Sequence, residues 1–296
     1  MWQQQVDLFL GHASDSEAHI YIRACDNSTI ARIEGTLRGP SCDYARTLPG
    51  ECALRTLPDR LDHACLAEAL LVDPCYWTPD LPFRYELHLT LTRRDGTSHS
   101  VRQIVGFRRW AADNAILRLE RKRSVIRGCQ ALAVTTERLQ EARDVKSALL
   151  IAPPHEQVAA AASRLGVSLV VDLSRCNGSL SSNLQRLNWQ TAAMIAILSP
   201  RQLADQGLRR APCLLAAQVS ANSLVSEFKL ADCDLLAVDL APGETPPTWI
   251  ANCGKPAIAI RHGHPYANIA QGRAACDRLQ AELAPQFDLA GYFVSP

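Results

Sequence analysis

The chain has 296 residues, enough for two domains that each bury a core. Apolar residues make up 47% and charged residues 21%, the mix of a globular protein and not of a disordered or low-complexity one. A net charge of +1, with no basic cluster interleaved with aromatics, gives no electrostatic footprint for nucleic acid, and no apolar run reaches the ~18 residues of a membrane span.

The N-terminal MWQQQVDLFLGHASDSE lacks a basic segment followed by an apolar one, so no signal peptide is expected. The 11 cysteines include no C-x-x-C pair and sit mostly in apolar segments, where a thiol behaves as a small hydrophobe. A reducing cytoplasm is the expected setting, with no metal and no other cofactor. His63 and Cys65 are spaced like two metal ligands but have no partner motif, and a structural role is expected for both.

Residues 1–109 read as short strands separated by turn signals: Val6–Leu10, His19–Cys25, Ile30–Leu37, Cys52–Leu57, Ala64–Leu70, Tyr85–Thr92 and Ser100–Gly106. Seven such strands without a long helix predict an all-β sandwich. Two Pro-bounded turns, DPCYWTPDLPF, lead into the alternating RYELHLTLT, and Arg94-Asp95-Gly96-Thr97 signals a hairpin. A strand-like pair follows, Ala115–Leu119 and Ser124–Arg127, with the dense charge run between them read as a solvated hairpin tip.

From residue 111 the pattern changes to apolar runs alternating with Ala/Leu/Arg-rich helical stretches. The runs are Ser124–Arg127, Ala148–Ala152, Ser168–Leu173, Ala193–Leu198, Cys213–Gln218, Leu235–Leu240, Ala257–Ile260 and Ala290–Val294. Eight continuous apolar strands in a βα array predict a closed (β/α)8 barrel over 111–296, with a doubly wound open sheet as the competing topology. Crossover helices are expected at Thr136–Val145, His155–Leu165, Leu180–Leu187, Arg201–Gly207 and Ala267–Leu283. The APGETPPTWIANCGK segment has room only for a short turn of helix. A span this short for the fold implies a compact barrel with thin or missing helices.

The stretch joining the two parts carries a family resemblance. DPCYWTPDLPFRYELHLTL followed by GFRRW resembles the end of the immunoglobulin-like sandwich in glycoside hydrolase family 2, the β-galactosidase, β-glucuronidase and β-mannosidase group. There a P-x-x-W-(S/T)-P-x-x-P-x-x-Y turn precedes the last hairpin, and GFR opens the catalytic barrel. LRLERKRSVIRG is similar to the family's lead into the first barrel strand, with Glu120-Arg121 in place of its usual Asn-Gly turn. Pro74, Trp77, Pro79, Pro82, Tyr85, Gly106, Phe107, Arg108, Arg127 and Gly128 fall in register. The resemblance implies an immunoglobulin-like β-sandwich followed by a TIM-type barrel. Trp77 and Tyr85 are expected to be buried where the two meet.

The resemblance also implies where chemistry belongs. Active sites of such barrels lie at the carboxyl ends of the strands, and a retaining glycosidase needs two carboxyl groups there, ~5 Å apart. In the family these follow strands four and seven, in G-N-E and T-E-y-G. The fourth apolar run is followed here by Ser199-Pro200-Arg201, and the seventh, KPAIAIRHG, matches k-P-i-i-x-t-E-y-G without a gap. Arg201 and Arg261 thus stand at the two carboxylate positions. The family's I-R-x-s-H after strand two becomes Leu149-Leu150-Ile151-Ala152-Pro153, without its Arg or His. Guanidinium neither attacks carbon nor releases a proton to a glycosidic oxygen.

The favoured expectation is therefore a non-catalytic relative, a carbohydrate-related binding or assembly module with no catalytic residue. Its partner would be a carbohydrate or anionic small molecule at the barrel mouth, with a protein partner or a second copy also open. Ligand-binding candidates are Arg127, Asp172, Arg201, Gln218, Asp239, Arg261 and His262. The alternative is a hydrolase of altered chemistry on an anionic or phosphorylated sugar, using Asp172 and Asp239 at the ends of strands three and six. Each of these acids also has a structural use, as a helix N-cap or as the counter-ion of Arg201 or Arg261. Arg127, Arg201 and Arg261 converging on one mouth would suit an anion.

Overall fold

The computed structural model describes residues 5–25, 29–57, 65–176, 178–204, 213–223 and 232–296. Seven antiparallel strands come first: β1 (Val6–Ala13), β2 (Glu17–Ala24), β3 (Ile30–Ser41), β4 (Gly50–Thr56), β5 (Leu66–Val72), β6 (Arg84–Arg93) and β7 (Ser98–Val105). Period-two alternation sets their faces. In β6, Tyr85, Leu87, Leu89 and Leu91 are buried while His88 is exposed. The spatial order is β1-β2-β5-β4-β3-β6-β7. β4 pairs with β3 through Gly35–Gly39 and with β5 through Arg55 and Thr56, so the two layers are joined into one curled sheet. His63 lies outside the described residues. No group of three His, Cys, Asp or Glu placed to hold a metal occurs among those described.

Residues 110–123 do not enter the barrel. They form a separate three-stranded sheet of β8 (Trp110–Asp113), β9 (Ile116–Leu119) and β10 (Lys122–Arg123). β9 and β10 are joined by Glu120 (φ 49°) and Arg121 (φ 63°), a tight turn with two left-handed residues. Asn-Gly is the usual occupant because each non-glycine residue there is disfavoured by roughly 1–2 kcal/mol. Glu120 has a compensating role, since its Oε2 accepts from Arg109 Nε at 2.8 Å. The Arg121 side chain is 65% exposed, and its ion-pair partner among the described residues is Asp15, at 3.8 Å. Arg121→Gly is expected to stabilise the protein by about 0.5–1 kcal/mol, the left-handed strain relieved less the added unfolded-state entropy. Urea unfolding midpoints of the two proteins check this.

The barrel closes from eight parallel strands: β11 (Ile126–Gln130), β12 (Ala148–Ile151), β13 (Leu169–Asp172), β14 (Ala193–Leu198), β15 (Leu214–Ser220), β16 (Leu235–Leu240), β17 (Ala257–Arg261) and β18 (Gly291–Val294). β11 thus starts two residues later than the sequence suggests, because Ser124 and Val125 lead out of the hairpin. Among the described residues five helices cover the barrel: α1 (Thr136–Asp144), α2 (Glu156–Leu165), α3 (Leu180–Asn188), α4 (Pro200–Leu203) and α5 (Ile269–Leu283). Thr135, Ser179, Ser199 and Asn268 cap the starts of α1, α3, α4 and α5 with side-chain oxygens. The rest of the helix expected at Arg201–Gly207 lies outside the described residues. One 3-10 turn, Thr248–Asn252, occupies the segment between β16 and β17. Burial pushes the thiols of Cys129, Cys213 and Cys276 up to about 11, so these core cysteines stay protonated. No described helix is long and apolar enough to cross a membrane.

The family-like motif residues build the junction. Trp77, fully buried, packs in the barrel core, and its Nε1 donates to Ser163 O on α2 at 2.8 Å. Tyr85 is also buried, but within the sheet's core against Phe107, with ring centroids 5.4 Å apart. Gly106 N donates to Thr191 Oγ1 at 2.8 Å, and a Cβ there would meet Thr191 Cγ2 at 2.6 Å. The Arg108 guanidinium donates to the carbonyls of Thr191 and Ala193 at the start of β14. Desolvation pushes its pKa down to about 10, which still leaves it charged at neutral pH.

Candidate functional site at the barrel mouth

Strand pairing fixes which side chains face the lumen. A Cβ on Gly272 of α5 would meet Cys129 Sγ at 2.7 Å, so Cys129 points outward to the helices. Cys129 is in register with Val294, Val294 with Arg261, and Arg261 with Leu240, and all four share the outward face. The alternate set, Gly128, Phe293, Ile260 and Asp239, faces the lumen. Carried round the barrel, the same parity turns Gln130, Asp172, Ile197, Gln218 and Ser220 inward.

The mouth is therefore lined by a polar ring of a particular kind. Gln218 Nε2 donates to Asp239 Oδ2 at 2.6 Å, and His262 Nε2 lies 3.0 Å from Asp239 Oδ1. Asp172 Oδ1 accepts from both the backbone N (2.9 Å) and the hydroxyl (2.6 Å) of Ser174, which fixes the start of its loop. Across the ring, Ser295 Oγ donates to Gln130 Oε1 at 2.5 Å, and Tyr266 OH donates to Gln130 O at 2.5 Å. Asp239, Gln218 and His262 are thus brought together. Gln130 and Ser295 are the ring members that sequence reasoning missed. The signal for Gln130 was available, two residues beyond the lumen-facing Gly128 on the same strand.

The three arginines are not brought together. Arg261 is 3% exposed and points away from the lumen, where Nη1 donates to Glu282 Oε2 of α5 at 2.6 Å and Nη2 to Glu244 O. Arg127 shares that outward face and approaches Asp277 of α5 at 3.8 Å. Arg201 is exposed on α4. Strand parity turns Arg127 and Arg261 away from the lumen, and Arg201 lies on α4, so the three do not share one lumen face. The counter-ion of Arg261 is Glu282, and Asp239 engages an amide and an imidazole instead.

At the ends of β14 and β17 the lumen-facing residues are Ile197 and Ile260. Ser199, just past β14, is held in a capping box with Gln202 at the start of α4. His262 and His264 flank Gly263, and His264 N donates to Ser295 O at 3.0 Å. Two large clefts, of about 640 and 850 Å³, lie beside the junction of sheet and barrel.

Residues 9–108 match the family model for glycosyl hydrolases family 2. The barrel that follows is the fold of solved enzymes of that group. Over residues 9–108 the chain is similar to glycosyl hydrolases family 2, and over the rest the likeness is one of fold. A Bacteroides uniformis β-glucuronidase 2, covalently bound to cyclophellitol-6-carboxylate aziridine, matches at 15% identity with a TM-score of 0.62, covering 98% of this chain and 45% of that one. The Bifidobacterium dentium β-glucuronidase complexed with coumarin-3-O-glucuronide matches at 12% identity and a TM-score of 0.63, covering 98% and 60%. The apo β-glucuronidase of Ruminococcus gnavus matches at 9% identity and a TM-score of 0.66, again covering 98% and 60%. At these identities the likeness establishes the fold. The chain spans about half the length of the structures it matches. No curated protein matches its sequence.

Proposed function

We propose that this family 2-like protein is a non-catalytic relative of the glycoside hydrolases, a binding or assembly module that takes a neutral, hydroxyl-rich carbohydrate at the barrel mouth. The observation that carries the reading is the pair of lumen-facing isoleucines, Ile197 and Ile260, at the ends of β14 and β17. Those are the fourth and seventh barrel strands, where double displacement needs its acid and its nucleophile. The ring of Gln130, Asp172, Gln218, Asp239, His262 and Ser295 offers donors and acceptors suited to sugar hydroxyls. With the arginines turned away, an anionic ligand is the less favoured choice.

On this reading the sheet of residues 1–109 and the unit of 111–296 act as scaffold and binding body, in a reducing cytoplasm. A second reading, hydrolysis through Asp172 and Asp239, draws support from the inward orientation of both acids. Each already has partners, however: Ser174 for Asp172, and Gln218 with His262 for Asp239.

Thermal shift against a panel of neutral glycosides, uronates and sugar phosphates tests the binding role. A neutral glycoside should raise the melting temperature saturably, and Asp239→Asn should abolish the rise while leaving the unliganded melting temperature within a few degrees. A response confined to sugar phosphates, or one indifferent to Asp239→Asn, would contradict the proposal.

A further inference from the structure

The 850 Å³ cleft lies away from the mouth, and its walls have an unusual character. One wall is six consecutive residues of β1, Leu8 to Ala13. A strand that presents a face to a cavity contributes alternate residues, whereas a strand that presents its edge contributes consecutive ones. β1 ends the seven-stranded sheet, and among the described residues its only strand partner is β2. The opposite wall includes Trp110, Ala111 and Asp113 of β8, which ends the three-stranded sheet and pairs only with β9 among the described strands. Two free strand edges therefore border one cleft.

Basic side chains outnumber acidic ones on its lining. Arg108, Arg109, Arg118 and Arg121 line it, with Asp113 the one lining carboxylate. Arg108 and Arg109 are held by the junction, whereas Arg118 is half-buried, Arg121 is exposed, and their carboxylates stand 3.7 and 3.8 Å away. Phe9 and Trp110 add apolar surface. Two lining side chains bury polar atoms without a partner among the described residues, the donor Trp110 Nε1 and the acceptor Asn188 Oδ1.

We infer that this cleft receives an extended, acidic segment of a partner protein, added as a strand along the edge of β1. Backbone pairing provides the affinity, and acidic side chains facing Arg118 and Arg121 provide the selectivity. The edge is regular through Leu10, and a register shift between Leu10 and Ala13 shortens the six residues to somewhat under the ~20 Å of a straight strand. The inference stands on a surface separate from the barrel mouth and does not depend on the function proposed there.

The test uses the full chain and fluorescein-labelled heptapeptides of alternating Glu and Val, in both registers, followed by anisotropy. Saturable binding is expected, weakened at least tenfold when alternate peptide nitrogens are methylated and at least tenfold in the Arg118→Glu/Arg121→Glu double variant. Arg121 is exposed and Arg118 half-buried, and circular dichroism checks that the variant folds. Hydrogen exchange should show added protection at amides of Leu8–Ala13 in the complex. Absence of binding, binding indifferent to methylation and charge reversal, or concentration-dependent self-association that excludes the peptide would each overturn the inference, the last by assigning the edge to a second copy of the chain.

Discussion

Trp77→Ala is expected to lower stability by about 3–5 kcal/mol in chemical denaturation. The indole is fully buried, and it comes from the sheet's side of the chain yet packs with the barrel core. Its removal opens a cavity where neither body can collapse freely, because the flanking segment is pinned: Trp77 N donates to Phe107 O at 2.7 Å and Arg143 donates to the carbonyls of Pro79 and Asp80. Nε1 also satisfies Ser163 O, whose own hydroxyl accepts from Ala192 N at 3.0 Å. Trp77→Phe retains much of the volume and loses the donor, so it should cost less. A loss below ~1 kcal/mol for the alanine variant would show that the turn is not part of the shared core.

Arg261→Glu is the second substitution with a large expected effect, and its direction separates two views of the same residue. Were Arg261 a displaced nucleophile position at the mouth, a glutamate there would be tolerated and would restore half of a catalytic pair. The outward orientation predicts damage instead. The new carboxylate would be buried, facing Glu282 and the carbonyl of Glu244. Breaking a buried pair and adding like charge costs about 2–4 kcal/mol here, discounted because the Glu282 side chain is 51% exposed. Arg261→Met should be milder, since Glu282 can turn to solvent. Comparing the two variants by urea unfolding, with sugar binding measured in parallel, checks the assignment: stability should change and affinity at the mouth should not.

The two substitutions mark what the sequence made legible and what it did not. The strands of both bodies followed from alternation and from continuous apolar runs, and the motif residues Trp77, Gly106 and Arg108 pointed correctly to a junction because their packing needs those residue types at those spacings. The candidate site was legible only in part. Asp172, Gln218, Asp239 and His262 could be placed at strand ends, but facing depends on barrel parity, and a shift of one residue moves a side chain from lumen to helix layer. That is why Arg261, matched without a gap to a family motif, turns to α5 while Ile260 and His262 flank the mouth. The hairpin around Glu120 and Arg121 was legible, but its returning strand is Lys122–Arg123 rather than Ser124–Arg127, and the third strand, Trp110–Asp113, was missed because four residues are too few to show an alternation.

Incubation of the purified protein with nitrophenyl β-galactoside, β-glucuronide and β-mannoside is the most direct test of the claim that the barrel binds without hydrolysing. No release of nitrophenol above the buffer rate is predicted for any of the three, for the natural protein and for Arg261→Glu alike, because no carboxylate faces the lumen from the ends of β14 and β17. Steady turnover that is lost in Asp172→Asn or Asp239→Asn, with both variants folded, would contradict it and place a working acid pair on strands β13 and β16.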